Sequence, residues 1–127
     1  MMKLMVIGAG GAVGSILRYL ISGHVQQLTK SVGFPYGTLA VNVLGCFIIG
    51  ALFYLADTRG AFSSEVRSFI FIGVLGGLTT FSTFGNETMI LIRDAQHGLA
   101  LANIAANLLL CLGSVWLGRV AALWIWR

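Results

Sequence analysis

Hydrophobic residues in this chain fall into four long blocks separated by short polar stretches. The blocks cover residues 4–21, 38–56, 66–92 and 98–120, and a polar stretch at 22–33 is predicted to be a loop. Each block reaches the roughly 17–25 apolar residues that a helix needs to cross a hydrocarbon core of about 30 Å. Local signals punctuate the blocks. Pro35, within Phe34-Pro35-Tyr36-Gly37, suits a helix start because its missing N–H is not needed there. Asp57-Thr58-Arg59-Gly60 ends the second block, Ser63 or Ser64 is placed to cap the third, and Glu65 sits in its positive first turn. A turn over 93–97 leads into the fourth, after which Trp116, Trp124 and Trp126 are expected to mark one interface.

The third block departs from simple helical hydropathy. Between Phe69-Ile70-Phe71-Ile72 and Met89-Ile90-Leu91-Ile92 it carries Gly76-Gly77-Leu78-Thr79-Thr80-Phe81-Ser82-Thr83-Phe84-Gly85-Asn86-Glu87. An unbroken helix over 66–92 would overshoot the bilayer core, so the third helix is predicted to be broken at mid-membrane. Lipid offers no hydrogen bonds, so such a break survives only where protein or a watery cavity covers it. Broken membrane helices commonly build ion or substrate sites.

Composition supports an all-α integral membrane protein, a single four-span domain over 1–127. Charged residues make up 9% of the chain, against about 25% in soluble domains, while 57% are hydrophobic. The net charge of +4 comes from Lys and Arg near the block ends, which fits membrane flanks and not a nucleic-acid surface. Lys3 before an apolar run has the form of a secretory signal, but the rest of the chain is equally apolar and leaves no soluble mature domain. With four spans, Lys3, Arg59, Arg67, Arg119 and Arg127 share one side, and Arg18, Lys30 and Arg93 the other. So small a bias fits either insertion in both directions or one orientation set by other details.

Within the blocks, polar and small residues recur at helical spacing. Gly8, Gly11, Ser15, Arg18 and Ser22 share a face in the first, Thr38, Asn42 and Gly45 in the second, and Asn103, Asn107, Cys111 and Ser114 in the fourth. Such faces serve close helix packing. Three amides in a dry core also need partners or a wet pathway. Cys46 and Cys111 read as small buried residues without disulfide or zinc spacing. Arg18 either snorkels to headgroups or forms an electropositive mouth; Glu87 is either a hydrogen-bond anchor or a group that meets an ion.

Enzyme chemistry finds little support. His24 and His97 do not pair at ligand spacing, and neither a Ser-His-Asp set, nor paired carboxylates, nor Cys-x-x-Cys is present. The stretch from Lys3 to Gly14 mimics a dinucleotide-binding turn, but Val13 stands at the third glycine position and the first acidic residue is Asp57.

The broken segment instead offers hydroxyls, freed carbonyls and two rings. Phe81 and Phe84 are spaced to share a helical face, either as packing or with their positive ring edges aimed at a small anion. Ser82, Thr83 and the Asn42 amide are donors beside them, and carbonyls at 76–79 suit a small cation.

Gly76 to Phe84 followed by Glu87 resembles the signature of the Fluc (CrcB-type) fluoride channels. Gly37-Thr38-Leu39 with Asn42 and Gly45 is similar to that family's second-helix motif, and Gly14, Arg18 and Tyr19 to its first helix. The resemblance implies a passive fluoride channel of the bacterial inner membrane that lets cells shed toxic fluoride. It implies an antiparallel, dual-topology homodimer with two pores. Phe81, Phe84, Asn42, Ser82 and Thr83 would then line the fluoride path, with Glu87, Thr38, Asn103, Asn107 and Arg18 in support. Backbone carbonyls of Gly76 and Thr79 from both subunits would hold a structural Na⁺. Gly85 stands where the family often has Ser, and Asn103, Asn107 and Cys111 depart from its usual fourth-helix residues. Two other readings compete. A small proton-coupled multidrug exporter is also a four-span, dual-topology dimer, but it relies on a first-span carboxylate that is absent here. A membrane scaffold would use the Gly and Asn faces only to bind a partner.

Overall fold

The computed structural model describes residues 1–126, all helical apart from short connections. Helix α1 (Met2–Thr29) is followed by α2 (Tyr36–Arg59). The third span, Ser64–Arg93, is composite: α3 (Ser64–Arg67), a π-helical stretch (Ser68–Val74), α4 (Leu75–Leu78) and α5 (Phe81–Arg93). Helix α6 (His97–Ile125) completes the fold. Four helical stretches are therefore long and apolar enough to span a bilayer. Large apolar side chains face outward along all of them, including Leu4, Leu20, Phe53, Met89 and Leu112.

The expected loop over 22–33 is mostly helix. Val25, Gln26, Gln27 and Leu28 extend α1, and Thr29 Oγ1 bonds back to the Val25 carbonyl at 3.0 Å. The helix ends where Lys30 turns left-handed (φ 50) and its N–H meets the Gln27 carbonyl. Gln26 then organises the connection. Its Nε2 donates to the carbonyls of Ser31 (2.6 Å) and Phe34 (3.1 Å), and its Oε1 accepts from the Gly37 N–H (3.0 Å). That last bond satisfies one of the orphan donors at the start of α2. Pro35 occupies the N-cap of α2, and Gly60 (φ 57) closes its far end. Ser63 caps the third span, its Oγ accepting from the Val66 N–H.

Glycine sets how closely the helices pack. A methyl group at Gly14 would strike the Val74 carbonyl, and one at Gly10 would lie 2.5 Å from the Phe69 carbonyl oxygen, so α1 runs backbone-to-backbone against the π-helical stretch. The small-residue face of α1 is therefore centred on Gly10 and Gly14; the Gly11 carbonyl and Ser15 reach it against Gly77, while an added methyl at Gly8 meets nothing. The faces of α2 and α6 match the sequence pattern better. Thr38, Asn42 and Gly45 are buried on α2; Asn103, Asn107 and Ser114 are buried on α6, with Cys111 half-buried. These two helices make the most extensive contact in the fold, with Gly50 against the Val115 carbonyl and Gly118 against the Phe47 carbonyl. Val41, Leu75 and Leu78 form the apolar centre between α1, α2 and the third span. Trp116 precedes Trp124 by about 12 Å of helix at 1.5 Å per residue, so the three tryptophans do not share one level.

Candidate functional site

The site is built around two residues with extended backbone. Thr79 (φ −85, ψ 154) and Thr80 (φ −151, ψ 116) lie between α4 and α5. Thr79 closes α4: its N–H and its Oγ1 both donate to the Leu75 carbonyl, at 3.0 and 2.9 Å. Thr80 opens α5, its Oγ1 accepting from the Thr83 N–H at 3.2 Å and donating to Thr83 Oγ1 at 2.9 Å. Asn42 on α2 acts as a substitute strand for Thr80. Its Oδ1 accepts from the Thr80 N–H (2.8 Å) and its Nδ2 donates to the Thr80 carbonyl (3.1 Å).

These bonds redirect two donors. In a continuous helix the Thr80 N–H would serve the Gly76 carbonyl and the Thr83 N–H the Thr79 carbonyl. Here both are spent on side chains. The Gly76 and Thr79 carbonyls are thereby released from their helical partners, and Gly76 itself is exposed. Oxygen ligands of this kind suit a hard cation.

A buried amide chain continues from Asn42. Its Nδ2 also donates to Asn107 Oδ1 (3.0 Å), Asn107 Nδ2 donates to Asn103 Oδ1 (3.0 Å) and to the Asn103 carbonyl (3.1 Å), and Asn103 Nδ2 donates to Thr88 Oγ1 (3.0 Å). Thr88 Oγ1 returns to the Phe84 carbonyl at 2.8 Å. The network thus starts at Thr80, crosses α2 and α6, and returns to α5 directly beneath Phe84. The three amides satisfy one another, with Asn103 fully buried. Both Nδ2 protons of Asn42 are committed, so it meets an anion only by exchanging one of these bonds.

Three cavities surround this frame. One of ≈ 440 Å³ is walled by Asn42, Thr79, Thr80, Phe81, Phe84 and Asn107 among others. A second, ≈ 250 Å³, lies against Arg18, Thr38, Thr80 and Thr83. A third, ≈ 460 Å³, lies under the α1–α2 connection and includes Gln26, Thr38, Thr83 and Glu87. Thr80 is common to the first two, and Thr38 and Thr83 to the last two, so hydroxyls link the series. Thr38 Oγ1 donates to Glu87 Oε1 at 2.7 Å, while Glu87 Oε2 is buried without a protein partner. Arg18 is half-buried and lines a different cavity from Glu87; among the described residues the one ion pair is Arg93–Asp94. The two rings stand 5.2 Å apart at 60°. Their environments differ sharply, with Phe84 8% exposed and Phe81 78% exposed. Ser82 and Thr83 are also exposed.

A family model described as CrcB-like protein, Camphor Resistance (CrcB), matches residues 5–119. The chain belongs to the CrcB family. It is 47% identical over 122 residues to the fluoride-specific ion channel FluC of Elusimicrobium minutum strain Pei191, covering 94% of this chain and 93% of that one. The FluC of Shewanella halifaxensis strain HAW-EB4 is 42% identical over 119 residues, 94% of each chain. FluC 1 of Methanosarcina acetivorans, strain ATCC 35395, is 42% identical over 123 residues, covering 97% of this chain and 92% of the relative. This CrcB-family chain is thus a multi-pass membrane protein whose relatives carry the name of ion channels and not of enzymes.

Of the residues singled out in the sequence, Asn42, Phe81, Phe84, Asn107, Gly76 and Thr79 meet around the ≈ 440 Å³ cavity. Thr38, Thr83 and Glu87 gather at the ≈ 460 Å³ cavity, and Arg18 stands apart from both. Asn103 lies behind the wall, reaching the site through Asn107. Thr80, Thr88 and Gln26 are structural participants that sequence reading left unassigned. Thr80, Phe84 and Thr88 follow one another at helical spacing, which was the available signal for the two threonines. The bonds of Gln26 depend on a connection whose path no periodicity reveals.

Proposed function

We propose that this chain forms a passive, fluoride-selective channel in the bacterial plasma membrane, through which cytoplasmic fluoride leaves the cell. One observation carries the reading: the Phe81–Phe84 pair stands at a cavity whose polar wall is threonine hydroxyl and asparagine amide, fixed by the Asn42–Thr80 clamp. The names of the relatives point the same way. Ring edges carry partial positive charge, and hydroxyls supply donors, so a small anion exchanges water for a sequence of weak partners. Weak, repeated sites favour passage over trapping. Arg18 raises the local anion concentration at one mouth. Thr38 directs its proton to Glu87 and so serves that carboxylate, not the anion.

The site is half-open in one chain, since Phe81 and Gly76 face outward beside it. A second copy, inserted antiparallel, would cover these groups and give two pores per homodimer with the third-span break at mid-membrane. The carbonyls of Gly76 and Thr79 released from helical bonding would hold a structural Na⁺ at the subunit contact. The ion would supply positive charge that fixes the unwound backbone of both copies.

Expression in cells lacking a fluoride exit route should restore growth in fluoride; unchanged sensitivity at normal membrane abundance would count against the assignment. A C-terminal tag should label on both faces of the membrane, and one-sided labelling would remove the antiparallel dimer. Replacing Na⁺ by a large organic cation should lower the melting temperature of the purified dimer, and an unchanged value would remove the Na⁺ site.

A further inference from the structure

Helices α2 and α6 keep one register over about two turns. Asn42 bonds Asn107, and two turns later Gly50 abuts Val115; both pairs are offset by the same number of residues. Cys46 and Cys111 hold that same offset midway between them, one turn from each. Both are free and half-buried, and both line the ≈ 440 Å³ cavity. Their neighbours in the wall include Thr79, Phe81 and Asn107.

We propose that Cys46 and Cys111 together form a two-thiolate site for a soft d¹⁰ cation with linear coordination, mercury(II) being the best fit. Thiolate is the ligand that selects soft metals. Among the described residues no third His, Cys, Asp or Glu joins the pair, which disfavours zinc and its tetrahedral set. Two thiolates around a divalent cation leave no net charge, which matters in an apolar wall where an isolated charge is costly. A monovalent soft cation would leave a buried negative charge. Binding breaks two S–H bonds and the two Hg–Cl bonds of mercuric chloride, forms two S–Hg bonds, and releases two protons and two chloride ions to water, with no change of oxidation state. The metal would then occupy the cavity assigned to fluoride, so inhibition of flux rests on the functional reading above, while binding itself does not.

The test separates the two. Purified protein is treated with mercuric chloride, washed with increasing glutathione, and its retained mercury is measured by mass spectrometry. The intact pair should hold mercury stoichiometrically, and Cys46→Ala or Cys111→Ala should each weaken retention by about a hundredfold, the scale set by losing an intramolecular second ligand. Equal retention by the wild type and both single variants would overturn the shared site. In fluoride-efflux assays, mercuric chloride should inhibit the wild type and dithiothreitol should reverse it, whereas the same dose should leave each variant at its own untreated rate. Tight shared binding without inhibition would support the metal site and count against the cavity as the ion path. Loss of retention in neither variant, with inhibition intact, would place the sensitive group elsewhere.

Discussion

Replacing Asn42 by leucine is expected to stop ion flux and to lower the stability of the fold by about 2–5 kcal/mol, since interhelical bonds in membranes are each worth about 0.6–1.7 kcal/mol. Asn42 makes three such bonds: two to the backbone of Thr80 and one to Asn107. Its loss leaves a backbone N–H, a backbone carbonyl and an amide oxygen without their protein partners at the break in the third span. The Thr80 N–H would be free to return to the Gly76 carbonyl, which pulls the extended residues back toward helix. Asn42→Asp separates the contributions. It keeps the acceptor for the Thr80 N–H but sets a carboxylate against the Thr80 carbonyl and Asn107 Oδ1, so it should be at least as damaging. Unfolding in detergent and efflux from liposomes are the readouts. Full stability in Asn42→Leu would mean that the clamp is not what holds Thr79 and Thr80 extended.

The two phenylalanines should fail differently. Phe84 is buried above Thr88, so Phe84→Ala opens a void and should cost about 3–5 kcal/mol along with flux. Phe81 is exposed on the single chain, so Phe81→Ala should leave the fold of that chain within about 0.5 kcal/mol of wild type. Its flux should nonetheless fall by up to about tenfold, the worth of a ring-edge contact of roughly 0.5–1.5 kcal/mol. A Phe81→Ala protein with normal stability and normal flux would take that ring out of the ion path. Equal stability losses in both variants would mean that Phe81 is packing in the assembled protein.

Much of the outline was legible because it depends on local sequence. Block lengths of 66–92 and 98–120 correspond to Ser64–Arg93 and His97–Ile125, and Ser63 caps where a serine was expected. The polar faces of α2 and α6 followed from spacing alone. Three features were not legible. Residues 22–29 look like a loop by polarity, but Gln26 is polar because it bonds the connection and the start of α2. The packing face of α1 is decided by the neighbouring π-helical backbone, so the closest approach at Gly10 and Gly14 could not be told from Gly8 by period. The pairings of Asn42 with Thr80 and of Cys46 with Cys111 link residues far apart in sequence. Each residue's chemistry was visible there, but its partner was not.

Fluoride efflux from liposomes, read with a fluoride electrode, tests the central claim most directly. Vesicles loaded with fluoride or with chloride and bearing the purified protein should release fluoride down its gradient, without drug or proton coupling, and retain chloride. Chloride leaving as readily as fluoride, or no release of either from correctly folded protein, would contradict the account.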